Sequence, residues 1–512
     1  MSKRPNILLI TSDQHRADCF GFERKRKVKT PFLDRLAARG TRFDSVITPN
    51  VVCQPSRASI LTGLLPLTHG VYDNHVSLDA TIGESGWART LANAGYRSGF
   101  IGKGHFGEDP ASTPYGSPES RQHSAGFPDS WNGPFMGFDE VRMMILGHWH
   151  QYLPCEQPPR GQHFERWFWG HGSEGEAWDL WSQNVGQRPS ATQTWNSALP
   201  AAWHSTTWVT DEARSFIQAQ DQQSPFCLWV SYPDPHHSFD CPEPWSRLYQ
   251  PEDVDISRNH RRDLDARPWW HRAALEREPL GKTEAGRILR REYSRIEPQT
   301  DAQLAEMTAN YYGMISFVDE GVGRILDTLN TQGLTEDTIV IFTSDHGELL
   351  GDHGLYLKGP THYEGLLRVG MVAAGPGISA GACVHEPVST LDLAPTFYDL
   401  SGVSPSIELQ GTSLKPLLHG EQQSRDFALN EWDMMPSRAG IPLELRTVRT
   451  RSAKLTLDRL SGDGELYDLH DDPDEMVNRY GDPGKAALQR ELEDMLQARP
   501  GPITSTRANH DG

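Results

Sequence analysis

Residues 6–14 read NILLITSDQ, and residues 338–348 read TIVIFTSDHGE. Each is a short, continuously apolar, β-rich run that stops at an aspartate. Apolarity without alternation over such a length is the pattern of a strand buried on both faces of a sheet. Two further runs have the same character. YRSGFIG at 96–102 leads into Lys103-Gly104-His105, and FCLWVSY at 226–232 leads into Pro233-Asp234-Pro235-His236-His237. Between the strands lie helical patterns. Residues 30–40, TPFLDRLAARG, have a Thr cap, a first-turn Pro and a closing Gly. In 302–329, Tyr311, Met314, Ile315, Val318, Val322, Ile325 and Leu329 recur at helical spacing and are assigned to the core. The alternation predicts an α/β fold, in which ligands bind outside the carboxyl ends of the strands.

At 512 residues the chain exceeds one ordinary core. A main unit over 1–419 is expected, with a smaller α+β subdomain at 420–498 and a disordered tail at 499–512. The net charge of −19 argues against a nucleic-acid or anionic-membrane surface, while leaving room for a cationic pocket. No apolar run approaches the roughly 20 residues of a membrane span. MSKRPNILLITSDQ is basic and then apolar, but Ile7–Ile10 is short for a signal peptide's apolar region of about 7–15 residues, so it reads as the first strand. Six cysteines, at 19, 53, 155, 227, 241 and 383, are few and irregularly spaced. They outline no disulfide framework, and a cytoplasmic setting with reduced thiols is expected.

Residues 110–210 are rich in Pro, Gly, His and Trp, with nine of the fifteen tryptophans between Trp131 and Trp208. They read as a loop-rich excursion over the pocket mouth. Residues 251–300 are charged and read as a helical insertion. The two insertions are the basis for expecting a homo-oligomer.

Several strand ends carry residues that bind cations or anions. Asp13 and Gln14 are adjacent oxygen donors, as a divalent cation requires; Asp345 and His346 form a second such pair. Lys103, His105, His236 and Lys358 add cations and imidazoles, and Asn74 a polar amide. An open sheet would converge them on one edge. At the centre stands VVCQPSRASILTG, residues 51–63. Its Cys53 is followed by Pro55, Ser56 and Arg57, and neither ordinary thiol nucleophile chemistry nor soft-metal binding accounts for that spacing. Ser56 and Ser59 fit helix capping.

The element Cys-x-Pro-Ser-Arg-x-x-x-Leu-Thr-Gly resembles the sulfatase signature. NILLITSDQ, GKGH, DPH, TSDHG and the closing ELYDL extend that resemblance over most of the chain. It implies a large mixed, mostly parallel sheet sandwiched by helices, like that of alkaline phosphatase, and hydrolysis of sulfate monoesters. Cys53 would be oxidised to formylglycine by a formylglycine-generating enzyme. The aldehyde hydrate would attack sulfur, giving a covalent sulfo-enzyme intermediate. The resemblance makes Asp13, Gln14, Asp345 and His346, with residue 53, ligands of one divalent ion: calcium first, with Mn²⁺, Mg²⁺ and Zn²⁺ also admitted by the mixed donor set. It makes Arg57 and His105 supports of the hydrate, and His105 the base for collapse of the ester. Lys103 and Lys358 would neutralise the sulfuryl oxygens, His236 would assist the leaving group, and Asn74 would bind substrate. Two places depart from the common arylsulfatase pattern. Asp13-Gln14 replaces two aspartates, and Asp345-His346 replaces Asp-Asn. Both forms are similar to those of choline sulfatases and phosphonate monoester hydrolases, whereas Lys103-Gly104-His105 keeps the arylsulfatase form. The alternative activity is therefore hydrolysis of phosphonate monoesters or phosphate diesters on the same fold.

Overall fold

A computed structural model of the chain describes residues 4–107, 116–120, 123–145, 161, 163–173, 175–221, 223–280 and 284–501. Cys155, much of the middle of the 110–210 excursion and nearly all of the expected tail lie outside the described residues.

The strands, in chain order, are β1 (Asn6–Ser12), β2 (Thr41–Ile47), β3 (Arg97–Lys103), β4 (Glu140–Met144), β5 (Thr194–Ser197), β6 (Phe226–Ser231), β7 (Phe239–Pro242), β8 (Thr338–Ser344), β9 (Arg368–Ala374), β10 (Ala382–Val384), β11 (Val388–Ser389), β12 (Phe427–Met434), β13 (Leu443–Thr450), β14 (Ala453–Asp458) and β15 (Gly464–Asp468). The main sheet has the order β10-β2-β9-β8-β1-β6-β3-β4, with β11 also pairing β2. β1 sits at its centre, parallel to β6 and β8, and β3 is parallel to β6. Only the pairings of β9 with β2 and β8 are antiparallel. Two such reversals cancel, so β2 runs in the direction of β8. The carboxyl ends of β1, β2, β3, β6 and β8 therefore share one edge.

Side chains alternate across the pleat. Ile7 and Leu9 of β1 enter one core, where Ala58, Leu61, Trp87, Leu91, Leu393 and Phe397 come from covering helices. Leu8 and Ile10 enter the other, against Trp208, Val209, Ile217, Val318, Val322 and Ile325. Burying one such aliphatic side chain stabilises the fold by about 1.5–3 kcal/mol. The amphipathic stretch forms one helix, Asp301–Thr331, with a capping box between Thr300 and Gln303.

The 110–210 excursion holds more regular structure than expected. It contributes β4 to the sheet edge, the helices His163–Trp169 and Glu176–Ser182, and β5. Its described tryptophans from Trp167 to Trp208 pack into the core on the helix Ser205–Gln218 side. Residues 251–280 and 284–300 form short turns, the short α-helices Trp269–Glu276 and Glu284–Ile288, and a π-helical turn at Leu289–Tyr293.

β12–β15 make an antiparallel four-stranded sheet. One face is covered by the helix Ala486–Gln497 through Leu492. The other packs through Trp432, Leu443, Leu445 and Tyr467 on Val51, Val52, Trp270, Tyr363 and Leu366. The subdomain thus reaches the loop that precedes Cys53. Asn430 Nδ2 donates to the Thr48 carbonyl at 2.8 Å, and Glu431 N–H donates to the Pro49 carbonyl at 2.9 Å. Arg499, at the start of the expected tail, pairs with Glu431 and donates to Thr68 Oγ1 at 3.1 Å, so order extends to that residue.

Candidate active site

Cys53 opens the helix Cys53–Thr62, every residue of which is buried. Val52 is an extended N-cap without a side-chain bond. Asn74 supplies the missing acceptor, its Oδ1 taking the Gln54 N–H at 3.1 Å. The serines expected to cap do other work. Ser56 Oγ donates to the Asp345 main-chain carbonyl at 2.6 Å, and Ser59 Oγ lies 2.9 Å from His69 Nε2. The helix N-terminus at Cys53 favours negative charge.

Arg57, one turn on, is wholly buried. Its Nε donates to Asp345 Oδ2 at 2.9 Å, Nη2 to Asp13 Oδ2 at 3.3 Å, and Nη1 to the Lys103 carbonyl and Ser231 Oγ at 2.7 Å each. It therefore ties together the ends of β1, β3, β6 and β8 and acts as a positioning residue.

Cys53 Sγ lies 3.6 Å from Asp13 Oδ1, 3.1 Å from His346 Nε2 and 3.0 Å from Lys358 Nζ. Lys103 Nζ pairs with Asp13. Burial pushes the thiol up, and so does Asp13. Lys103, Lys358 and His346 outweigh both and bring it down to about 5, so the unconverted sulfur is a thiolate at neutral pH. Burial also opposes the charge on Asp13, but Lys103 and Arg57 hold it well below the usual carboxylate range. Asp345 is raised, by burial and then by the charge of Asp13.

These groups fit a divalent cation. Asp13, Cys53, Asp345 and His346 each offer a donor atom, all within 4.8 Å of one another. His346 Nδ1 donates to the Gly347 carbonyl at 2.8 Å, which turns Nε2 toward the cluster. Gly347 itself has no room for a side chain, since a Cβ would lie 2.0 Å from the Gly365 carbonyl oxygen. Two buried carboxylates and an imidazole are donors such ions accept, and the repulsion that raises Asp345 is what a dication would offset. Gln14 stands in the left-handed region at φ 63°. Its N–H donates to Asp345 Oδ1 at 3.1 Å, while its side-chain amide meets Glu348 and, at 3.0 Å, His237 Nδ1.

Above this layer is a cavity of about 230 Å³. Cys53, Asn74, Lys103, His105, His236 and Lys358 line it, whereas Asp13, Gln14, Arg57, Asp345 and His346 lie buried behind it. His236 Nε2 is 3.1 Å from Lys358 Nζ, and its Nδ1 meets the His237 carbonyl. His237 turns instead to Gln14 Oε1, at 3.1 Å. His105 is also left-handed, at φ 57°, and its Nδ1 is buried without a hydrogen-bond partner. Glu119 braces this turn by accepting the Phe106 and Gly107 N–H groups at 2.8 and 3.0 Å. At Gly104 a Cβ would strike Glu119 Oε1 at 2.2 Å.

The remaining wall was not foreseen. Arg290, Tyr293 and Arg295 come from the 251–300 insertion, and Trp432, Met434 and Arg438 from the C-terminal subdomain. No described residue between 116 and 210 lines the cavity, so the Trp-rich excursion does not form its described wall.

Comparison with known proteins covers nearly the whole chain. The family model described as "Sulfatase" matches residues 5–403, and that described as "N-sulphoglucosamine sulphohydrolase, C-terminal" matches 351–500. The chain is 26% identical to an N-acetylglucosamine-6-O-sulfatase of Bacteroides thetaiotaomicron, over 97% of this chain and 86% of that protein. It is 29% identical to a multifunctional alkaline phosphatase superfamily protein of Trinickia caryophylli, over 95% and 93%. The crystal structure of a phosphonate monoester hydrolase of Agrobacterium radiobacter superposes with a TM-score of 0.75 at 27% identity, over 97% of this chain and 95% of that one.

Proposed function

This chain belongs to the sulfatase family and is a sulfuric ester hydrolase, and we propose that it works with formylglycine made from Cys53 and one divalent cation, calcium, held by Asp13, Gln14, Asp345 and His346. The observation that carries this reading is the convergence on Cys53 of two carboxylates, an imidazole and Lys358 at the floor of a cationic cavity. A hard cation suits oxygen better than sulfur at position 53. Formylglycine supplies an oxygen nucleophile there. The cation supplies positive charge against the charge that develops on the sulfuryl group.

The chain's own side chains do the rest. Arg57 and Lys103 keep Asp13 ionised and aimed at the cluster. Lys358, beside residue 53, stabilises charge on sulfuryl oxygens bound over it. His236 Nε2 accepts from Lys358 at the cavity wall, and we assign this pair to assist a leaving oxygen seated there. His105, with an unpartnered ring nitrogen, is the base.

Cys53 is 1% exposed in the folded chain, so a formylglycine-generating enzyme must reach it before folding is complete. We also propose a cytoplasmic setting, on the ground of the few, irregularly spaced cysteines of the sequence. A second activity, on phosphonate monoesters and phosphate diesters, draws support from the Agrobacterium hydrolase likeness and from the Asp345-His346 pair.

Peptide mass spectrometry across residues 51–63, paired with turnover of an aryl sulfate, tests the reading. Active protein should carry a carbonyl oxygen in place of the thiol and one Cβ hydrogen. Full activity with unmodified cysteine would refute it.

A further inference from the structure

The cavity over Cys53 is cationic in a chain whose net charge is −19. Among the described residues no Asp or Glu lines it, while Lys103, Lys358, Arg262, Arg290, Arg295 and Arg438 do. Four of these are engaged. Lys103 pairs with Asp13, and Lys358 faces Cys53 and His236. Arg438 pairs with Asp73 at 2.5 Å. Arg262 donates to the carbonyls of Ile296 and Gly354 at 3.0 and 2.9 Å.

Arg290 and Arg295 are different. Arg295 Nη2 is buried without a hydrogen-bond partner. Arg290 donates to His75 Nε2 at 2.8 Å, a neutral acceptor. A guanidinium has five donors and no acceptor; the carboxylates that act on these two are Asp73, which already pairs with Arg438, and Glu278. Burial, and then the charge of Arg438, push Arg290 down from its ordinary value, and burial does the same to Arg295. His75 adjoins Asn74, which caps the nucleophile helix. Arg290 thus reaches the nucleophile helix through His75, Asn74 and Gln54, while Lys103 and Lys358 stand at the sulfuryl end.

We propose that Arg290 and Arg295 form a second anion subsite, and that the substrate is a sulfate ester whose leaving group carries its own anionic group, a carboxylate or a second sulfate. The proposal rests on the reading of this cavity as the sulfatase site. A cationic leaving group such as choline would meet like charge there.

The test uses converted, cation-loaded protein and matched substrates: 4-nitrophenyl sulfate against its ring-carboxylated analogue, and monosulfated against disulfated glucosamine. The anionic member of a pair should be favoured about tenfold or more in kcat/KM, chiefly through KM, as for one charge-assisted contact. The two pairs distinguish carboxylate from sulfate as the recognised group. Arg290→Gln and Arg295→Gln should shrink that ratio toward one, and Arg290→Lys should restore part of it. The desulfated anionic product, tested as a competitive inhibitor, gives a readout that needs no turnover by the variants of that compound, and it should weaken in parallel. A ratio near one in the unsubstituted chain, or a ratio unmoved by both substitutions, overturns the subsite. Turnover without anion preference removes only this proposal, whereas no turnover of any sulfate ester removes the underlying reading as well.

Discussion

Arg57 Nε and Asp345 Oδ2 are 2.9 Å apart, with neither side chain exposed to solvent. The same guanidinium reaches Asp13, Lys103 and Ser231, so one residue of the nucleophile helix holds four strand ends in register with Cys53. Removing one partner of a buried ion pair leaves the other charge unpaired and costs about 3–5 kcal/mol. Arg57→Met should lower the urea midpoint accordingly and abolish turnover. Arg57→Lys keeps the charge without the planar fork and should recover only part of the stability. An Arg57→Met chain with the normal midpoint would show that this pair does not hold the strand ends.

Cys53 sits where its thiol contacts Lys358 and His346 without supporting the hydrophobic packing of the sheet. Cys53→Ala should therefore leave a folded protein whose kcat on an aryl sulfate is lower by roughly 10³-fold or more, as for loss of a nucleophile. Circular dichroism and steady-state kinetics on the same sample separate the two effects. Near-normal turnover would remove residue 53 from the chemistry.

The donor cluster predicts linked metal binding and stability. Dialysis against a chelator should abolish activity and lower the Tm, and calcium should restore both. An ion at one hundred times its Kd stabilises by about 2.7 kcal/mol. Asp345→Asn should weaken this calcium-dependent shift in Tm. A Tm indifferent to chelator and to every divalent ion would show that Asp13, Asp345 and His346 serve only the apo fold.

His236 and Lys358 touch at the cavity wall, 3.1 Å apart. A group that assists departure matters most when the leaving oxygen is basic. His236→Asn should lower kcat/KM on an alkyl sulfate by about 10²–10⁴-fold, the range for general acid catalysis. The loss on 4-nitrophenyl sulfate should be much smaller. Equal losses on both substrates would reassign His236 to binding.

The reach of the sequence follows the range of the interactions involved. β1 and β8 were legible because a doubly buried strand must be apolar throughout, and their final residues then fall on a known edge. Cys53 was singled out by the signature it resembles, and Lys103, His105 and His236 by following strands whose ends lie on that edge; the structure places all four on the cavity wall. Arg290, Tyr293 and Arg295 were not legible, because residues 284–296 carry no period that says which side chains face a cavity. Trp432 and Arg438 line the wall only because β12 docks on Val51 and Val52, a contact between segments far apart in the chain. β4 was hidden in a loop-rich excursion, since five residues at a sheet edge leave little pattern. Glu119 gave no signal either, as its role is to accept main-chain N–H groups of a turn that folds onto it.

Acid should destabilise the fold through its buried histidines. His69 lies behind the nucleophile helix, its Nε2 2.9 Å from Ser59 Oγ and its Nδ1 accepting the Val71 N–H at 3.1 Å. Burial pushes it down to about 3; His362 is likewise pushed to about 3, by burial and then by Lys454. Both rings are neutral in the folded chain, while an unfolded histidine takes a proton near pH 6.5. Between those values the unfolded state binds more protons, so stability rises with pH in that window. The contribution is complete above about pH 6.5 and is lost progressively as pH falls toward 3. Asp319, pushed up to about 7 by burial, acts in the opposite sense, so the histidine share is isolated by comparing variants. His69→Gln removes one titrating group and keeps a side chain that can bond Ser59. Its stability deficit relative to the parent, measured by urea unfolding, should shrink steadily from pH 7 to pH 5. A deficit that stays constant over that range would mean that His69 does not titrate between the two states.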